Sequence, residues 1–412
     1  MRKLPLIGTA AMLIATVTAC GQRPPAEWTL APQKLESPAG ATSSEPQLSV
    51  SSKGVLLSWI ERVGTTTILK FAERTASGWT QPMTAASGEK WFLSYADVPS
   101  VQRMTNGTLI AQYLPSTNEL LEAYDLVLTY SKDEGKTWSA PFMPHHDGMQ
   151  FQHGFASMVD MPGGGLGIVW LDGRNSEFKD EDPASGTMTM RFASFDAHWK
   201  QTADLEIDHR VCECCQTTAV TTTDGVLTAF RDRDDQEVRD IAVSRFEGGK
   251  WTPPAIVSKD NWMIDGCPVN GPSMSARGRD VAVAWFTVKD DVGLANVAFS
   301  SDAGRTWGPP IRVDDKGSLG RVDVELLDDG SALVSWVEYA DGASDFKVRR
   351  VEKSGTKSAA IGVAAVSGGR ASGFPRMARN GNELIFAWSG SATPEGDAAG
   401  SLQVFTAVAT LP

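Results

Sequence analysis

Four cysteines and one histidine near the middle of the chain have the side-chain types of a metal site. The set is His209, Cys212, Cys214, Cys215 and Cys267. Thiolate sulfur and imidazole nitrogen are ligands that suit copper or zinc. The same cysteines could instead form disulfides, for example Cys212 with Cys267, or a strained and reducible bond between the adjacent Cys214 and Cys215. The sequence therefore leaves metal binding, structural disulfides and redox chemistry as three alternatives.

Three further histidines lie upstream in one short stretch, at His145, His146 and His153. Imidazole is the side chain that most often binds metals, but histidines of this kind also stand in solvated loops. We therefore treat these three as possible additional metal ligands.

A second set of candidates consists of aspartates and arginines that follow two apolar strands. Asp172 and Arg174 follow one strand, and the run Arg231, Asp232 and Arg233 follows another. Arginine binds a planar carboxylate through two parallel hydrogen bonds, and an aspartate can act as a general acid or base. These five are candidate catalytic residues for an acidic sugar. The alternative is that they form ordinary ion pairs at the rim of the protein.

The composition indicates which kind of fold must position these residues. The chain has 412 residues, of which 42% are hydrophobic and 21% are charged, and its 39 glycines and 22 prolines are spread along its length. This pattern favours many short strands joined by turns, an all-β protein. The 38 basic and 50 acidic residues give a net charge of −12, which repels phosphate backbones and excludes nucleic acid as a partner.

A repeat organises the chain after residue 26. Five tryptophans end similar short segments and recur every 52 to 61 residues: Trp79, Trp138, Trp199, Trp251 and Trp307. Seven apolar segments, each followed by an alternating strand, share this period: LLSWIE (56–61), LIAQYL (109–114), GIVWLD (167–172), LTAFRD (227–232), VAVAWF (281–286), ALVSWV (332–337) and LIFAWS (384–389). Such a period is typical of a β-propeller. We predict seven blades, with six as the alternative.

The last unit stops at Pro412 without an outer strand, and segment 26–32 offers a replacement. Its sequence AEWTLAP is similar to GWTQP and KWTPP, which supply outer strands elsewhere. An N-terminal strand that completes the C-terminal blade closes the ring and removes both sheet edges. We therefore expect an all-β, seven-bladed β-propeller over 26–412, closed by its N-terminal strand.

The first twenty residues have the pattern of a secretion signal. Basic residues 2 and 3 precede an apolar stretch, 4–18, that is too short to span a membrane and ends close before Cys20. This pattern resembles the lipobox of bacterial lipoproteins, in which cleavage precedes the cysteine and its thiol is acylated. The resemblance implies a signal peptide at 1–19, lipidation of Cys20, a tether at 20–25 and anchoring in the bacterial cell envelope, with the outer membrane favoured.

Two copies of the motif S-x-D-x-G-x-T-W accompany the repeat. They comprise Ser131, Asp133, Gly135 and Trp138, and Ser300, Asp302, Gly304 and Trp307. The motif resembles the Asp-box, or BNR repeat, of sialidases and their relatives. The resemblance implies structural roles, in which serine and aspartate oxygens bind backbone N–H groups of a tight turn, glycine takes a positive φ and tryptophan packs between sheets.

The resemblance to sialidases also allows a comparison of catalytic residues. Those enzymes bind the substrate carboxylate with three arginines and use a tyrosine paired with a glutamate as nucleophile. The early Arg-Ile-Pro segment of the family is absent here, because residues 46–50 read PQLSV. The positions to test on this chain are Tyr95 and Tyr113 as nucleophiles, and Arg321 and Arg376 at strand starts facing the channel. An exo-sialidase is therefore an alternative function that lacks the family's catalytic set.

The strand order within a blade sorts the loops onto two faces. In a four-stranded meander, the first and third turns share one face, and the second loop and the crossover to the next blade share the other. The S-x-D-x-G-x-T-W motifs mark the first face, so the four cysteines after residue 26, four of the five histidines and the Asp–Arg runs fall on the second. We expect that second face to bind a ligand, either a metal ion or an acidic glycan. A scaffold for an envelope protein is a further alternative.

Overall fold

Seven antiparallel sheets surround a central channel in the computed structural model of this protein, which describes residues 28–119, 122–161, 163–176, 187–391 and 402–412. The innermost strands of all seven sheets line the channel, which has a volume of about 690 Å³. The described residues contain no α-helix. The predicted seven-bladed, all-β propeller is confirmed, and the six-bladed alternative is wrong.

The strands are numbered in chain order. The first, β1, spans Gln33–Leu35 and belongs to the last blade. Blade 1 contains β2 (Ser43–Ser51), β3 (Gly54–Val63), β4 (Thr66–Thr75), β5 (Gly78–Trp79) and β6 (Met83–Gly88). Blade 2 contains β7 (Ser100–Arg103), β8 (Leu109–Tyr113), an inserted hairpin of β9 (Ser116–Asn118) and β10 (Ala123–Tyr124), and β11 (Val127–Ser131). Blade 3 contains β12 (His153–Met161), β13 (Gly165–Asp172), β14 (Met188–Phe195) and β15 (Gln201–Val211).

The remaining four blades follow the same order. Blade 4 contains β16 (Thr218–Thr222), β17 (Gly225–Arg231), β18 (Ile241–Glu247), β19 (Lys250–Trp251) and β20 (Ala255–Ile256). Blade 5 contains β21 (Ser273–Arg277), β22 (Asp280–Lys289), β23 (Val292–Ser300) and β24 (Ile311–Arg312). Blade 6 contains β25 (Ser318–Leu326), β26 (Ala332–Ala340), β27 (Ala343–Val351) and β28 (Ile361–Ala365). Blade 7 contains β29 (Arg376–Asn380), β30 (Glu383–Ser391), β31 (Leu402–Thr410) and β1.

The seven apolar segments found in the repeat form the second strand of each blade. Each pairs in antiparallel register with the alternating strand that follows it. These second strands are buried on both sides because every blade packs against two neighbours, and four of their tryptophans are at most 1% exposed: Trp59, Trp170, Trp285 and Trp336. The hydrophobic core therefore lies between adjacent blades.

The ring is closed by the N-terminal strand, but a few residues later than the sequence suggested. Strand β1 pairs with β31, with Gln33 opposite Val408, and begins directly after Pro32. Proline has no N–H to donate to a ladder, so the strand cannot run through it. In the predicted strand 26–32, Trp28 and Leu30 instead pack into the core between blades 6 and 7.

Each S-x-D-x-G-x-T-W motif forms a tight turn that its own side chains hold together. Ser131 Oγ accepts a hydrogen bond from Gly135 N at 2.9 Å, and Asp133 Oδ1 accepts one from Thr137 N at 2.9 Å. The second copy, at 300–306, makes the same two bonds at the same distances. Gly135 has a φ of 80°, the left-handed region that favours glycine.

These turns lie on the face formed by the first and third turns of the blades. Glu134, in the first motif, forms an ion pair with Lys53 in the β2–β3 turn. Trp138 packs edge-on against Phe71 of blade 1, with ring centroids 6.1 Å apart, and Trp307 packs against the core between blades 4 and 5. The motifs therefore act in the framework of the propeller, away from the cysteine-bearing face.

Residues 1–27 lie outside the described part of the chain. The predicted signal peptide at 1–19, the lipidation site Cys20 and the tether at 20–25 fall there. Within the described ranges, no helix is both long and apolar enough to cross a membrane.

Candidate functional site

Three cysteines meet where the crossover from blade 3 to blade 4 leaves β15. The Sγ atoms of Cys212, Cys214 and Cys215 all lie within 4.8 Å of one another, and Cys212 Sγ is 3.5 Å from Cys215 Sγ. Cys212 and Cys215 are 1% and 2% exposed. These two residues have C-x-x-C spacing across the turn at 213–214, which brings both sulfur atoms to the same side. The structure thus brings together three of the five residues nominated as metal or disulfide ligands.

Arginines beside this cysteine cluster (Cys212, Cys214 and Cys215) favour a thiolate. Arg239 Nη1 donates a hydrogen bond to Cys212 Sγ at 3.2 Å. Hydrogen bonds from Cys214 and Cys215, together with the charges of Arg231 and Arg239, hold the pKa of Cys212 well below its ordinary value. Burial raises the pKa of Cys215 to about 12. These surroundings therefore favour the thiolate form of Cys212 within the cluster.

Cys267 lies at the edge of the cluster, and His209 lies outside it. Cys267 is exposed, and a hydrogen bond from Cys214 lowers its pKa to about 7. The side chain of His209 is 86% exposed, because a bulge near the end of β15 turns it to solvent. The prediction that His209 joins the cysteines is therefore wrong. The predicted disulfide between Cys212 and Cys267 also does not match the geometry, in which Cys212 is beside Cys215.

Arg231, predicted to be catalytic, belongs to the framework of the face. It is 2% exposed and donates hydrogen bonds to three backbone carbonyls, those of Asn270, Arg239 and Phe286, at 2.6 to 3.0 Å. Its guanidinium also lies 4.9 Å from the centre of the Trp262 ring. These bonds tie blade 4 to blade 5 and leave the side chain without a free edge for a sugar carboxylate.

Arg233 also pairs with other residues of this chain, whereas the carboxyl group of Asp232 has a raised pKa. Arg233 bonds Glu237 through Nε and Nη2 and forms an ion pair with Glu213. Burial, with the nearby charge of Asp208, raises the pKa of Asp232 to about 6. A carboxyl group with that pKa can exchange protons near neutral pH. The two arginines predicted to bind substrate beside it, however, serve other contacts.

Asp172 belongs to a repeated W-x-[DE] arrangement that our sequence analysis missed. Trp170 Nε1 donates to Asp172 Oδ2 at 2.8 Å. The same bond occurs in blades 1 and 6, from Trp59 to Glu61 at 2.8 Å and from Trp336 to Glu338 at 3.3 Å. The signal was present in the sequence as SWIE, VWLD and SWVE. Because three blades share the arrangement, it marks a structural position.

A basic side chain forms an ion pair with each of these three acidic residues. Arg174 Nε bonds Asp172 Oδ1 at 2.7 Å, Lys70 pairs with Glu61 at 2.7 Å and Lys347 pairs with Glu338 at 2.6 Å. Burial opposes ionisation of Asp172, but the hydrogen bonds from Arg174 outweigh it and lower the pKa. Asp172 and Arg174 therefore form a buried ion pair with each other, and their nomination as catalytic residues stays a prediction.

His145 and His153 form a buried, stacked pair between blades 2 and 3. Their ring centroids are 3.9 Å apart, and His153 Nε2 lies 3.2 Å from Asp147 Oδ2. Burial lowers the pKa of His145 to about 4, whereas the pKa of His153 is raised because Asp147 outweighs the effect of burial. His146 does not join them and lies 3.1 Å from Gln201 Oε1.

A guanidinium lies on the Asp147–Asp172 side of this histidine pair. Arg174 Nη2 lies 3.3 Å from Asp147 Oδ2 and 2.8 Å from Asp172 Oδ2. A cation bound between these two carboxylates would therefore sit against another positive charge. Arg174 thus supplies the cation on that side, whereas Asp125, His145 and His153 form a second group whose possible ligand atoms lie within 4.8 Å of one another.

Strained residues begin three of the innermost strands. Glu45, Phe155 and Arg321 have φ values of 58°, 53° and 54°, and each lies at a register shift in β2, β12 or β25. Such bulges redirect side chains and are frequent beside functional sites. Burial raises the pKa of Glu45 to about 8. These positions are not predictable from the sequence, because a bulge depends on pairing with the next strand and has no fixed side-chain pattern.

One guanidinium in the channel has no ion pair or hydrogen bond within the described ranges. Arg376, at the start of β29, lines the channel and lies 5.8 Å from the centre of the Phe374 ring. Its Nε is buried without a partner, and burial lowers its pKa. Arg321, nominated with it, instead donates to Ser372 and to the carbonyl of Gly369. Arg376 is therefore the arginine that remains available to an anion.

The two tyrosines nominated as nucleophiles differ in position. Tyr113 is 8% exposed and stacks on Trp91, with centroids 4.7 Å apart, in the core between blades 1 and 2. Tyr95 is half-buried, stacks on Phe374 at 6.2 Å and lies 5.6 Å from the guanidinium of Arg370. Tyr95 is thus the one of the two that shares a surface with Arg376.

Solved structures with this arrangement of strands are known, whereas no protein-family model and no curated protein matches the chain. A protein of unknown function from Dyadobacter fermentans DSM 18053 aligns with a TM-score of 0.53 and 13% identity, covering 94% of this chain and 98% of that one. The polysaccharide lyase Uly1 aligns with a TM-score of 0.51 and 10% identity, covering 96% and 94%. The chain shares its propeller fold with both. A mutant of the NanB sialidase from Streptococcus pneumoniae aligns with a TM-score of 0.47 and 9% identity, covering 93% and 98%. At these identities the similarity shows the fold alone.

Proposed function

We propose that this protein binds one thiophilic metal ion at Cys212, Cys214 and Cys215, and that a lipid on Cys20 holds it in the bacterial envelope, the outer membrane being favoured. The observation that carries the metal proposal is the approach of three sulfur atoms within 4.8 Å, two of them on buried side chains. Sulfur atoms around one Zn²⁺, at about 2.3 Å from it, stand about 3.8 Å apart. The cluster therefore needs only small shifts to enclose an ion.

The charges around the cluster support the same proposal. Thiols lose their protons when they bind a metal, so the bound cluster carries negative charge that a buried site must offset. Arg239 already donates to Cys212 Sγ, and Arg231 lies close enough to lower the pKa of that thiol. Partners of this kind orient the ligands of a metal and tune its affinity.

The number of sulfur ligands separates the two candidate metals. Three thiolate ligands are enough to coordinate Cu(I), whereas structural Zn²⁺ almost always has four ligands. Cys267, which accepts a hydrogen bond from Cys214, is the available fourth sulfur for zinc. His209 contributes to neither, because its side chain points to solvent.

The test is competition for Cu(I) and Zn²⁺ against chromophoric chelators, with the full chain extracted in detergent and kept reduced without oxygen. We expect one ion per chain, and binding at least about tenfold weaker after Cys212→Ser or Cys215→Ser. His209→Ala is the matched control and should not change either affinity. Cys267→Ser should weaken Zn²⁺ but not Cu(I). Wild-type protein that binds no more metal than the Cys212→Ser variant contradicts the proposal.

The unpaired Arg376 favours a second candidate function, recognition of an acidic glycan. A buried cation without a partner is costly, and a sugar carboxylate or sulfate would supply one. The aromatic side chains of Tyr95 and Phe374 lie beside it and offer stacking surfaces for sugar rings. The similarity in fold to a protein described as a polysaccharide lyase supports the same substrate class.

Binding of uronic acid oligosaccharides and sialosides to wild type and to Arg376→Met tests this candidate. We expect the variant to lose at least about 2 kcal/mol of binding free energy, the usual cost of removing one partner of a desolvated charge pair. Lys250→Met is the control for general positive charge, since Lys250 is exposed on the short strand β19 of blade 4. Equal binding by the Arg376→Met variant and wild type, or no binding by either, removes this candidate and leaves the metal proposal untouched.

A further inference from the structure

We infer that Cys267 is the entry ligand through which a thiol-bound metal donor loads the cysteine cluster, Cu(I) being the ion transferred. The inference rests on the metal site proposed above. Exposure falls steadily along the four sulfur residues: Cys267 is exposed, Cys214 is half-buried, and Cys212 and Cys215 are 1% and 2% exposed. A donor too large to enter the protein can therefore reach Cys267 first.

The sulfur atoms form a continuous path from the surface to the buried pair. Cys267 is hydrogen-bonded to Cys214, and Cys214 Sγ lies within 4.8 Å of the sulfur atoms of both Cys212 and Cys215. Each residue along the path can thus bind the ion before the previous one releases it. A dithiolate intermediate at every step avoids a bare ion in solution.

Each exchange balances without an oxidant or a reductant. One metal–sulfur bond forms and one breaks, the incoming thiol releases its proton, and the departing sulfur takes a proton up. The donor keeps its own sulfur and leaves as a free thiol. The metal remains Cu(I) throughout, so the partner is a complex that holds Cu(I) through accessible sulfur ligands.

The surroundings of Cys267 hold it in reach of the cluster. Three residues further along the same crossover, Asn270 N donates to Cys215 Sγ at 3.4 Å, and Asn270 O accepts from Arg231. This segment is therefore anchored on the cluster itself.

The test separates the rate of loading from the affinity. Reduced full-length protein is mixed in a stopped-flow instrument with the Cu(I)–glutathione complex, and the equilibrium affinity is measured separately by chelator competition. We expect Cys267→Ser to load at least about tenfold more slowly, with an unchanged dissociation constant. Cys214→Ser should slow loading and also weaken binding. His209→Ala, which alters an exposed residue near the end of β15, is the control and should change neither quantity.

The outcomes distinguish this inference from the metal site on which it depends. Wild type that binds no Cu(I) refutes the site itself. Wild type that binds Cu(I), with a Cys267→Ser variant that loads at the normal rate, overturns the entry role alone. A variant with weakened equilibrium binding shows that Cys267 is a resident ligand, which also overturns it. Cys267→Ala is measured as a second variant. If both variants have the melting temperature of wild type, slower loading is not caused by misfolding.

Discussion

Replacing Arg231 with methionine tests whether this buried cation is part of the framework. The substitution keeps much of the side-chain length but removes every N–H donor. Three backbone carbonyls, on the blade 4 loop, the crossover at Asn270 and β22, then lose hydrogen bonds of 2.6 to 3.0 Å. If Arg231 bound substrate instead, the variant would lose ligand binding and keep its stability.

The size of the effect follows from these contacts. A buried acceptor left without its donor costs about 1–3 kcal/mol. Removing the guanidinium also relieves its own desolvation, so the net loss is smaller than three such penalties. We expect the free energy of unfolding to fall by about 3–5 kcal/mol, a large part of the usual 5–15 kcal/mol.

Urea unfolding followed by tryptophan fluorescence measures this loss. Arg370→Met is the matched control, because Arg370 is exposed and such a substitution usually changes stability by about 0.5 kcal/mol or less. The loss should be the same with or without an acidic sugar present. A destabilisation of Arg231→Met below about 1 kcal/mol would refute the framework role.

Three further predictions concern the closure, the channel and the anchor. Replacing Gln33–Leu35 with Gly-Ser-Gly should destabilise the fold by at least about 1 kcal/mol through the weakened ladder with β31, and an unchanged melting temperature would show that the strand closes nothing. Burial raises the pKa of Glu325 to about 8, so its contribution to stability is present below pH 4.5 and is lost as the pH rises towards 8. Glu325→Gln should therefore stabilise the protein at pH 7 by up to about 3 kcal/mol and flatten the pH profile in urea unfolding, and equal profiles would contradict this. Cys20→Ser should release the protein from the detergent-extracted membrane fraction or leave an unprocessed precursor, and full membrane retention of a processed form would disprove the lipid anchor.

The architecture was predictable from the sequence, because the relevant signals are local and repeat. Short apolar runs indicate the strands that are buried on both faces, and seven such strands at one period indicate seven blades. The S-x-D-x-G-x-T-W turns are also local, since Asp133 bonds a backbone group only four residues away. Closure of the ring was predictable as well, although the strand begins at Gln33 because Pro32 cannot donate to the ladder.

Which charged residues remain available for chemistry depends on tertiary packing. Arg231 bonds carbonyls 39 and 55 residues away, whereas Arg376 makes no hydrogen bond or ion pair among the described residues, and no local pattern distinguishes the two. His209 was separated from the cysteines by a bulge, which depends on pairing with β14. Sequence spacing indicates which side chains could act together. The partner that each side chain takes depends on three-dimensional packing, because burying a charge without a partner costs more free energy than local sequence preferences supply.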